Sequence, residues 1–396
     1  MFPKLRFKEF DGDLTESKLV ELTSWASGGT PAKDVPEYWG DGIPLISGAS
    51  MHTNQLYESD VKITKLGLQK GSKLALKDSI LILVRGSMLF NKIPMGITLG
   101  DVAFNQDVKC IRPKQQLAPL FLFQWLHAKE NTIQNKVTAT GIGAGKLDTA
   151  DLQNLKLYKP SLEEQTKIAT FLSAVDEKIS QLTQKHQLLR EYKQGMMQKL
   201  FSQQVRFKAD DKSEFGEWEE KELKDIAEIN PKSKKLPESF IYIDLESVEK
   251  GKLLLQKNIE LQDAPSRAQR LLAKGDVLFQ MVRPYQQNNY YFNLSGEYVA
   301  STGYAQIRTK LDSKFIYYAL HEKTFLDEVM NRCTGTSYPA INSSDLSSIE
   351  ILIPCLEEQT KIANVLSAID QKIEVISKQI EQAKQWKKGL LQQMFI

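Results

Sequence analysis

The stretch "LEEQTKIATFLSAVDEKI" at 162–179 returns as "LEEQTKIANVLSAIDQKI" at 356–373, with 14 of 18 positions identical. A shorter echo precedes each stretch, because "RFK" occurs at 6–8 and again at 206–208. Self-similarity at a nearly fixed interval is the signature of an internal repeat. The chain is therefore two copies of one unit of about 200 residues. In each copy the first part has diverged strongly and the last part has not.

The part kept in both copies is predicted to be a long helix. Apolar residues recur at a spacing of 4-3-4-3, which is the heptad pattern of a coiled-coil seam. A capping box is expected at the first helix, with Ser161 before it and Glu164 three residues on. The second copy has Cys355 in the cap position, so we expect a weaker cap there. The seam positions are Ile168, Leu172, Val175, Ile179, Leu182, His186, Leu189, Lys193, Met196 and Leu200, then Ile362, Leu366, Ile369, Ile373, Ile376, Ile380, Ala383, Lys387, Leu390 and Met394.

The two seams in one chain favour pairing of the helices with each other. A helix of about 40 residues spans roughly 60 Å, so the first would carry the chain to the second diverged region. The second would run back antiparallel and return the end of the chain to its start. The equivalent seam residues Lys193 and Lys387 would then lie near opposite ends of the pair, where they reach water or the diverged regions. Plain core packing and a homodimeric coiled coil remain the alternatives.

Composition and charge narrow the class of protein. The hydrophobic share of 41% and the charged share of 26% over 396 residues are those of a globular protein, and no apolar run is long enough for a membrane span. The N-terminus has no secretory h-region, and the three cysteines show neither metal nor disulfide spacing, so we expect a cytoplasmic protein. Residues 1–161 carry a net charge of +4 and residues 202–355 carry −3. Any nucleic acid would therefore be met by local patches.

The diverged regions are predicted to mix short strands and helices. "SILILVRGS" at 79–87 and "DVLFQMVRPY" at 276–285 are predicted to be buried strands that deliver Arg85 and Arg283 to loops. The segment 27–44 is dense in glycine and proline and is predicted to be a loop.

Patterns that would indicate catalysis are missing from the sequence. "TGIGAGKL" at 140–147 has Thr140 where a phosphate-binding loop needs its first glycine, so a flexible loop is expected. The four histidines do not cluster, and His127 and His321 sit on apolar helices, where core positions are the simpler interpretation. No Asn-Pro-Pro-aromatic or Asp-Pro-Pro-aromatic motif of DNA methyltransferases occurs.

The two diverged regions, the two near-identical helices and the motifs "YWGDGIP" and "GDVAFNQD" resemble the specificity subunits of type I DNA restriction–modification systems. The resemblance covers the whole chain, and the repeated "LEEQTKIA" element is its most specific part. It implies an α+β fold with two pseudo-repeated mixed target recognition domains separated by two long antiparallel coiled-coil helices. The implied boundaries are recognition domain 1 at 1–160, spacer helix 1 at 161–201, recognition domain 2 at 202–354 and spacer helix 2 at 355–396.

The same resemblance implies a non-catalytic subunit. Each recognition domain would read one half of a bipartite, asymmetric site in double-stranded DNA, while the helices set the gap and dock two methyltransferase subunits. Restriction subunits would join them, with no membrane involved. S-adenosylmethionine, ATP and Mg are expected on the partner subunits and no cofactor on this chain. The residues alone leave open a coiled-coil scaffold with two peptide-binding modules.

Candidate DNA-binding residues are chosen by chemistry. Arg and Lys suit guanine, Asn and Gln suit adenine, and Lys, Arg, Ser and Thr suit phosphates. Each candidate has the alternative of being a solvated loop side chain. In domain 1 the candidates are Thr30, Lys33, Arg85, Ser87, Asn91, Lys92, Thr138, Thr140 and Lys146. In domain 2 they are Lys232, Lys234, Lys235, Arg267, Arg270, Arg283, Tyr285, Gln286, Gln287, Asn288, Asn289, Arg332 and Tyr338.

Overall fold

The computed structural model describes residues 3–141, 143–232 and 235–395. It contains two compact units: unit 1 is residues 1–183 with 378–396, and unit 2 is residues 184–377. Each unit therefore combines one diverged region with one part of each repeated helix. No helix in the described ranges is both long enough and apolar enough to cross a membrane.

The described secondary-structure elements alternate short strands and helices before each long helix. Up to residue 201 they are β1 (Thr15–Lys18), α1 (Leu19–Leu22), β2 (Thr23–Ser27), β3 (Trp39–Ile46), β4 (Gln55–Leu56), β5 (Lys62–Ile63), α2 (Lys65–Gly71), β6 (Lys73–Ala75), β7 (Ile80–Leu83), β8 (Arg85–Gly86), β9 (Met95–Thr98), β10 (Val102–Phe104), β11 (Val108–Pro113), α3 (Pro119–Ala128), α4 (Glu130–Gln134), β12 (Thr138–Ala139), β13 (Gly145–Lys146), α5 (Thr149–Gln153), β14 (Lys156–Lys159) and α6 (Leu162–Phe201). After residue 201 they are β15 (Glu219–Glu222), α7 (Leu223–Ile226), β16 (Ala227–Ile229), β17 (Ser239–Ile243), β18 (Val248–Glu249), β19 (Lys252–Leu253), β20 (Lys257–Glu260), β21 (Ala268–Leu271), β22 (Val277–Gln280), β23 (Tyr290–Tyr291), β24 (Tyr298–Ser301), β25 (Tyr304–Thr309), α8 (Ser313–Ala319), α9 (Lys323–Arg332), α10 (Ser343–Ser347), β26 (Glu350–Ile353) and α11 (Leu356–Met394).

The predicted fold class is confirmed, with mixed regions of strand and helix preceding the long helices α6 and α11. In unit 1 the ends of the helices run antiparallel, because Ile168 packs in the same core as Met394 while Asp176, farther along α6, meets Lys387. In unit 2 the helices are also antiparallel, because Leu200 near the end of α6 packs in the same core as Ile362 near the start of α11. Every predicted seam position is buried or half-buried.

The two seam lysines lie in different units, and each pairs with an aspartate of the other helix. Lys387 Nζ is 2.5 Å from Asp176 Oδ1 in unit 1, and Lys193 Nζ is 2.6 Å from Asp370 Oδ1 in unit 2. Each aspartate also accepts a hydrogen bond from the diverged region of its own unit. Asp176 accepts from Gln124 Nε2 at 2.8 Å, and Asp370 accepts from the Tyr318 hydroxyl at 2.7 Å. We call Asp176 and Asp370 the junction aspartates, because each joins both helices to a diverged region.

The repeated "RFK" and "LEEQ" segments bind each other. In unit 1 the guanidinium of Arg6 donates twice to the carboxylate of Glu164, at 2.7 Å for both bonds. In unit 2 Arg206 binds Glu358 with bonds of 3.1 and 2.8 Å, and Trp218 Nε1 donates to the same carboxylate at 3.1 Å. Both glutamates are buried, so each needs a charged partner. The hydrogen bond to Glu164 raises the pKa of the Arg6 guanidinium.

The predicted capping box at α6 is only half formed. The Glu164 backbone N–H donates to Ser161 Oγ at 3.3 Å, as expected. The Glu164 carboxylate turns away, because the half-buried Arg6 guanidinium offers it two charge-assisted hydrogen bonds. The prediction of a complete box was therefore wrong for a reason that depends on a residue 158 positions away.

The sheets of unit 1 surround one main core. One sheet has the order β2-β11-β7-β9-β4, a second has β5-β3-β10-β6, and a third has β12-β13-β8. Strand β7 is buried throughout, as its apolar run predicted. Strand β3 begins at Trp39, so the prediction of a loop to residue 44 was wrong. A Cβ at Gly42 would lie 2.5 Å from the carbonyl oxygen of Ile63, so glycine there permits close approach of β5 rather than flexibility.

Unit 2 repeats these connections although its sequence has diverged. Its sheets have the orders β16-β25-β22-β23 and β20-β17-β24-β21, which match β2-β11-β7-β9 and β5-β3-β10-β6 of unit 1. A parallel pair occurs at the same place in both, β3 with β10 and β17 with β24. The repeat therefore extends from the octapeptide to the whole unit.

Candidate nucleic-acid interface

In unit 1, three of the predicted DNA-binding residues lie together at the edge formed by the sheet β12-β13-β8, just after the buried strand β7. Buried β7 is followed by Arg85, which lies opposite Lys146, and Lys146 lies opposite Thr138 in the sheet β12-β13-β8. All three side chains are exposed. Two cations and a hydroxyl on adjacent short strands form a surface suited to phosphates and to guanine edges.

A polar turn beside this sheet holds residues that sequence reasoning missed. The turn at Asn105–Asp107 joins β10 to β11, and the Asp107 carbonyl accepts from the Val84 N–H at 2.8 Å, next to Arg85. Thr30 Oγ1 donates to Gln106 Oε1 at 2.7 Å. Gln106 is therefore a further candidate for reading a base. Its signal was the polar run "NQD" directly after the apolar strand "VAF".

The remaining candidates of unit 1 lie around this sheet with less convergence. Ser87 begins a 3-10 turn that ends at Phe90, and Asn91 and Lys92 follow it with exposed side chains. Thr140 closes the β12–β13 hairpin, because its Oγ1 accepts from the Ala144 N–H at 3.2 Å. Part of the predicted flexible loop is thus a hairpin, and Ile142 lies outside the described residues. Lys33 is exposed in the segment between β2 and β3.

Unit 2 presents the matching edge with different side chains. An isolated bridge pairs Val282 with Ala340, and another pairs Ala340 with Thr334. Ala340 thus lies between its two partners, as Lys146 lies between Arg85 and Thr138 in unit 1. Arg283 follows directly with a left-handed φ of 55°. A non-glycine residue in this conformation is strained and is frequent at functional sites.

Arg283 and Tyr338 form a stacked pair at this edge. The guanidinium carbon of Arg283 lies 4.2 Å from the centroid of the Tyr338 ring, which is a cation–π contact. Tyr338 is 64% exposed and Tyr285 is 51% exposed. Nε of Arg283 has no hydrogen-bond partner among the described residues, so stacking and the Arg283 backbone bond to the Pro339 carbonyl hold the residue. The structure thus brings Arg283, Tyr285 and Tyr338 to one edge.

The polar run after Arg283 divides into exposed and buried members. Gln286 is exposed, Gln287 and Asn288 are half-buried, and Asn289 is 1% exposed. The Asn289 Oδ1 accepts from the backbone N–H of Gln280 at 2.9 Å. In this conformation Asn289 supports the loop and does not reach a base, which corrects its selection as a DNA-binding residue.

The other candidates of unit 2 are more scattered. The Arg267 carbonyl accepts from the Thr302 N–H at 2.9 Å, which places Arg267 beside the turn that matches Asn105–Asp107. Arg270 is half-buried on β21, and burial lowers its pKa. Lys232 and Lys235 are exposed, and Lys234 lies outside the described residues.

Arg332 has an internal role that its residue type did not reveal. It pairs with Glu328 at 2.8 Å and donates to Ser348 Oγ at 2.7 Å and to the Asp345 carbonyl at 3.2 Å. These contacts tie α9 to the end of α10. They engage Nε and Nη1 of the guanidinium, and its selection as a DNA-binding residue stays a prediction.

Other chemistry was sought in the described residues. Within them, no three His, Cys, Asp or Glu side chains form a group that could hold a metal ion. His127 Nδ1 lies 3.7 Å from Glu130 Oε2, and His321 Nδ1 donates to the Tyr317 carbonyl at 2.7 Å. Each histidine therefore contacts a residue that is three or four positions away in the chain. What converges at one edge of each unit is a set of cationic, polar and aromatic side chains.

Comparison with known proteins identifies the family of the chain. The family model described as "Type I restriction modification DNA specificity domain" matches residues 12–190 and again 216–385. The specificity subunit of the type I restriction enzyme MjaVIII from Methanocaldococcus jannaschii is 27% identical over 409 residues, covering 97% of this chain and 94% of that protein. The EcoDI specificity subunit from Escherichia coli is 25% identical over 281 residues, covering 63% of each chain.

Solved structures show the same fold. The S subunit of a type I restriction–modification system from M. genitalium matches with a TM-score of 0.63 at 17% identity, over 100% of this chain and 99% of that one. A chain from a study of complex assembly and conformational transition of the type I system matches with a TM-score of 0.56 at 16% identity, over 97% of each. Because the family model accounts for most of both copies, this chain belongs to the type I restriction–modification DNA specificity family.

Proposed function

We propose that each unit reads one half of a bipartite DNA site for a type I restriction–modification complex. The observation that carries this proposal is the repeated edge: the same strand connections present Arg85, Lys146 and Thr138 in unit 1 and Arg283 and Tyr338 in unit 2. Equivalent scaffolds with different exposed side chains suit two different short sequences. The site is therefore expected to be asymmetric.

In this proposal, arginine and glutamine side chains read the edges of the bases. Arginine makes two hydrogen bonds to guanine, and glutamine makes two to adenine, each pair contributing about 1–3 kcal/mol of discrimination. Arg85 and Gln106 in unit 1, and Arg283 and Gln286 in unit 2, are the side chains of these types at the repeated edge. Lys146 and Arg267 would contact phosphates, which fix position without reading sequence.

The chain acts in this proposal without catalysis of its own, in a cytoplasmic complex. Two methyltransferase subunits would dock on the helices and supply adenine methylation with S-adenosylmethionine. Restriction subunits with ATP and Mg would join them. Purified chain alone is expected to turn over neither S-adenosylmethionine nor ATP, and sustained turnover of either would show that the proposed division of labour is wrong.

The helices are proposed to set the gap between the half-sites. Gln181 in α6 and Val375 in α11 are equivalent positions, 194 residues apart. Inserting one heptad at both keeps the seam in phase and adds about 10 Å of helix, close to three base pairs. Sequencing the methylated motifs of cells that produce this chain with the methyltransferase of its own system tests the idea. We expect the same two half-sites with a gap longer by about three base pairs.

A matched control inserts two residues at the same two positions, which rotates the seam by about 200° to the far side of each helix and should abolish methylation. The proposal is wrong if the heptad variant changes the bases of either half-site. It is equally wrong if wild-type chain directs methylation to a continuous motif with no gap.

A further inference from the structure

The loop that follows β22 rests on a buried glutamine that the sequence analysis did not select. Gln280 ends β22 and is 2% exposed. Its Oε1 accepts from the backbone N–H of Asn288 at 3.0 Å, and its Nε2 donates to Oε1 of Gln286 at 2.9 Å. Gln286 is exposed at the edge that carries Arg283. One buried amide therefore connects the sheet to an exposed amide.

The orientation of both amides follows from a backbone donor. The N–H of Asn288 can only donate, so the Gln280 atom that faces it is the oxygen. The other Gln280 atom is then the nitrogen, which also can only donate. The Gln286 atom that faces it is therefore the oxygen, which keeps a second lone pair, while the Gln286 nitrogen keeps both hydrogens.

The inner end of this chain of hydrogen bonds is anchored on the next helix. Asn289 Oδ1 accepts from the Gln280 backbone N–H at 2.9 Å, and Asn289 Nδ2 lies 3.4 Å from Nε2 of His321. His321 Nδ1 donates to the carbonyl of Tyr317, in α8. Burial lowers the pKa of the His321 ring, and Lys193 acts in the same direction, while backbone hydrogen bonds with Tyr317 and Gln287 act against them. The hydrogen bonds thus run from α8 to the exposed Gln286.

This arrangement does not belong to the shared fold. Leu83 pairs with Val108 in unit 1, and Gln280 pairs with Tyr304 in unit 2, so Leu83 holds the position that matches Gln280. An apolar side chain is sufficient there to form the sheet. Burying an amide is costly unless it is fully paired, so its presence in one unit alone needs a local reason.

We propose that Gln280 is a positioning residue that holds the Gln286 amide in one orientation for reading an adenine in the half-site of unit 2. The proposal rests on the proposed function. Adenine offers an N6 donor and an N7 acceptor in the major groove, which match the free lone pair and the free hydrogens of Gln286. If the Gln286 amide turns by 180°, its oxygen and nitrogen exchange places, and neither hydrogen bond to adenine can form.

The test uses Gln280→Glu in the full chain, produced with the methyltransferase of its own system. The new carboxylate still accepts from Asn288, but it cannot donate to Gln286, whose amide must turn its nitrogen inward. We expect the preference for adenine at one position of one half-site to fall about 5- to 100-fold. The other positions and the gap should stay unchanged, while the thermal midpoint falls because the variant buries a carboxylate. Methylated-motif sequencing and thermal melting measure these quantities.

Two further variants control the test. Gln286→Met removes the amide head itself and should relax the same position. Gln262→Glu introduces the same charge change on an exposed turn of unit 2 and should leave every base preference as in wild type.

The outcomes are decisive in each direction. Relaxation at one shared position in Gln280→Glu and Gln286→Met, with Gln262→Glu unchanged, supports the assignment. If Gln280→Glu alters several positions or alters none, Gln280 does not position Gln286 and the inference is wrong. If wild-type chain directs no bipartite motif, the proposed function fails first, and this inference fails with it.

Discussion

Replacing the seam lysines tests how the helices are joined to the recognition regions. Lys387→Met in unit 1 and Lys193→Met in unit 2 keep side-chain length and remove the charge that faces a junction aspartate. The Lys387 and Asp176 side chains are 11% and 31% exposed, whereas those of Lys193 and Asp370 are 23% and 39% exposed. The unit 1 pair is therefore the less hydrated of the two.

The expected cost follows from this difference in exposure. Breaking a fully buried pair costs about 3–5 kcal/mol, while an exposed pair contributes about 0–1 kcal/mol. The Lys387–Asp176 pair lies between these limits, so we expect Lys387→Met to destabilise unit 1 by about 2–3 kcal/mol. We expect about 1 kcal/mol for Lys193→Met, because water screens Asp370 and Tyr318 still donates to it.

Hydrogen exchange followed peptide by peptide is the appropriate assay, because two compact units need not unfold together. Lys387→Met should speed exchange in the parts of α6 and α11 that belong to unit 1, by about 30- to 150-fold. Lys193→Met should act on unit 2 and by about fivefold. Lys384→Met, an exposed position one turn earlier on α11, is the matched control and should change little. Equal losses from the two seam variants, or the reverse order, would refute the reasoning.

Three further predictions concern stability. Arg206→Ala should destabilise unit 2 by about 2–4 kcal/mol in urea unfolding, because buried Glu358 loses the guanidinium that donates to both its oxygens; a loss under about 1 kcal/mol would show that this ion pair contributes no more than an exposed one. Cys355→Ser should stabilise α11 by about 0.5–1 kcal/mol by adding a cap like that of α6, and a lower thermal midpoint would contradict this. Burial lowers the pKa of the His321 ring, so its contribution to stability is full above the unfolded pKa near 6.5 and falls as the pH drops below it; His321→Gln should flatten that part of the stability–pH curve, and an unaltered curve would exclude His321 as its cause.

Much of the fold could be predicted because the signal is local and periodic. The 4-3-4-3 spacing from Ile168 to Leu200 needs no knowledge of other parts of the chain, and neither does the apolar run before Arg85. The internal repeat also allowed the pairing of the two helices to be predicted, because both copies carry the same apolar seam. The error at Trp39 arose because Gly42, read as a loop residue, instead permits close contact with β5, and sequence spacing does not distinguish these cases.

The interface was less predictable because it depends on contacts between distant segments. Arg6 and Glu164 were both noticed as repeated residues, but their pairing across 158 positions requires the fold. Asn289 has the chemistry of a base reader, and only its burial shows that it serves Gln280 instead. Residue type thus selects candidates, and exposure decides among them.

The most direct test of the account is the methylated-motif sequence directed by wild-type chain, by Arg85→Ala and by Arg283→Ala, each produced with the methyltransferase of its own system. The account predicts that wild type directs two different half-sites separated by a fixed gap. Arg85→Ala should relax a position in one half-site only, and Arg283→Ala a position in the other half-site only, each with the gap unchanged. If both variants relax the same half-site, or either one changes the gap, the two units are not independent readers and the central claim is wrong.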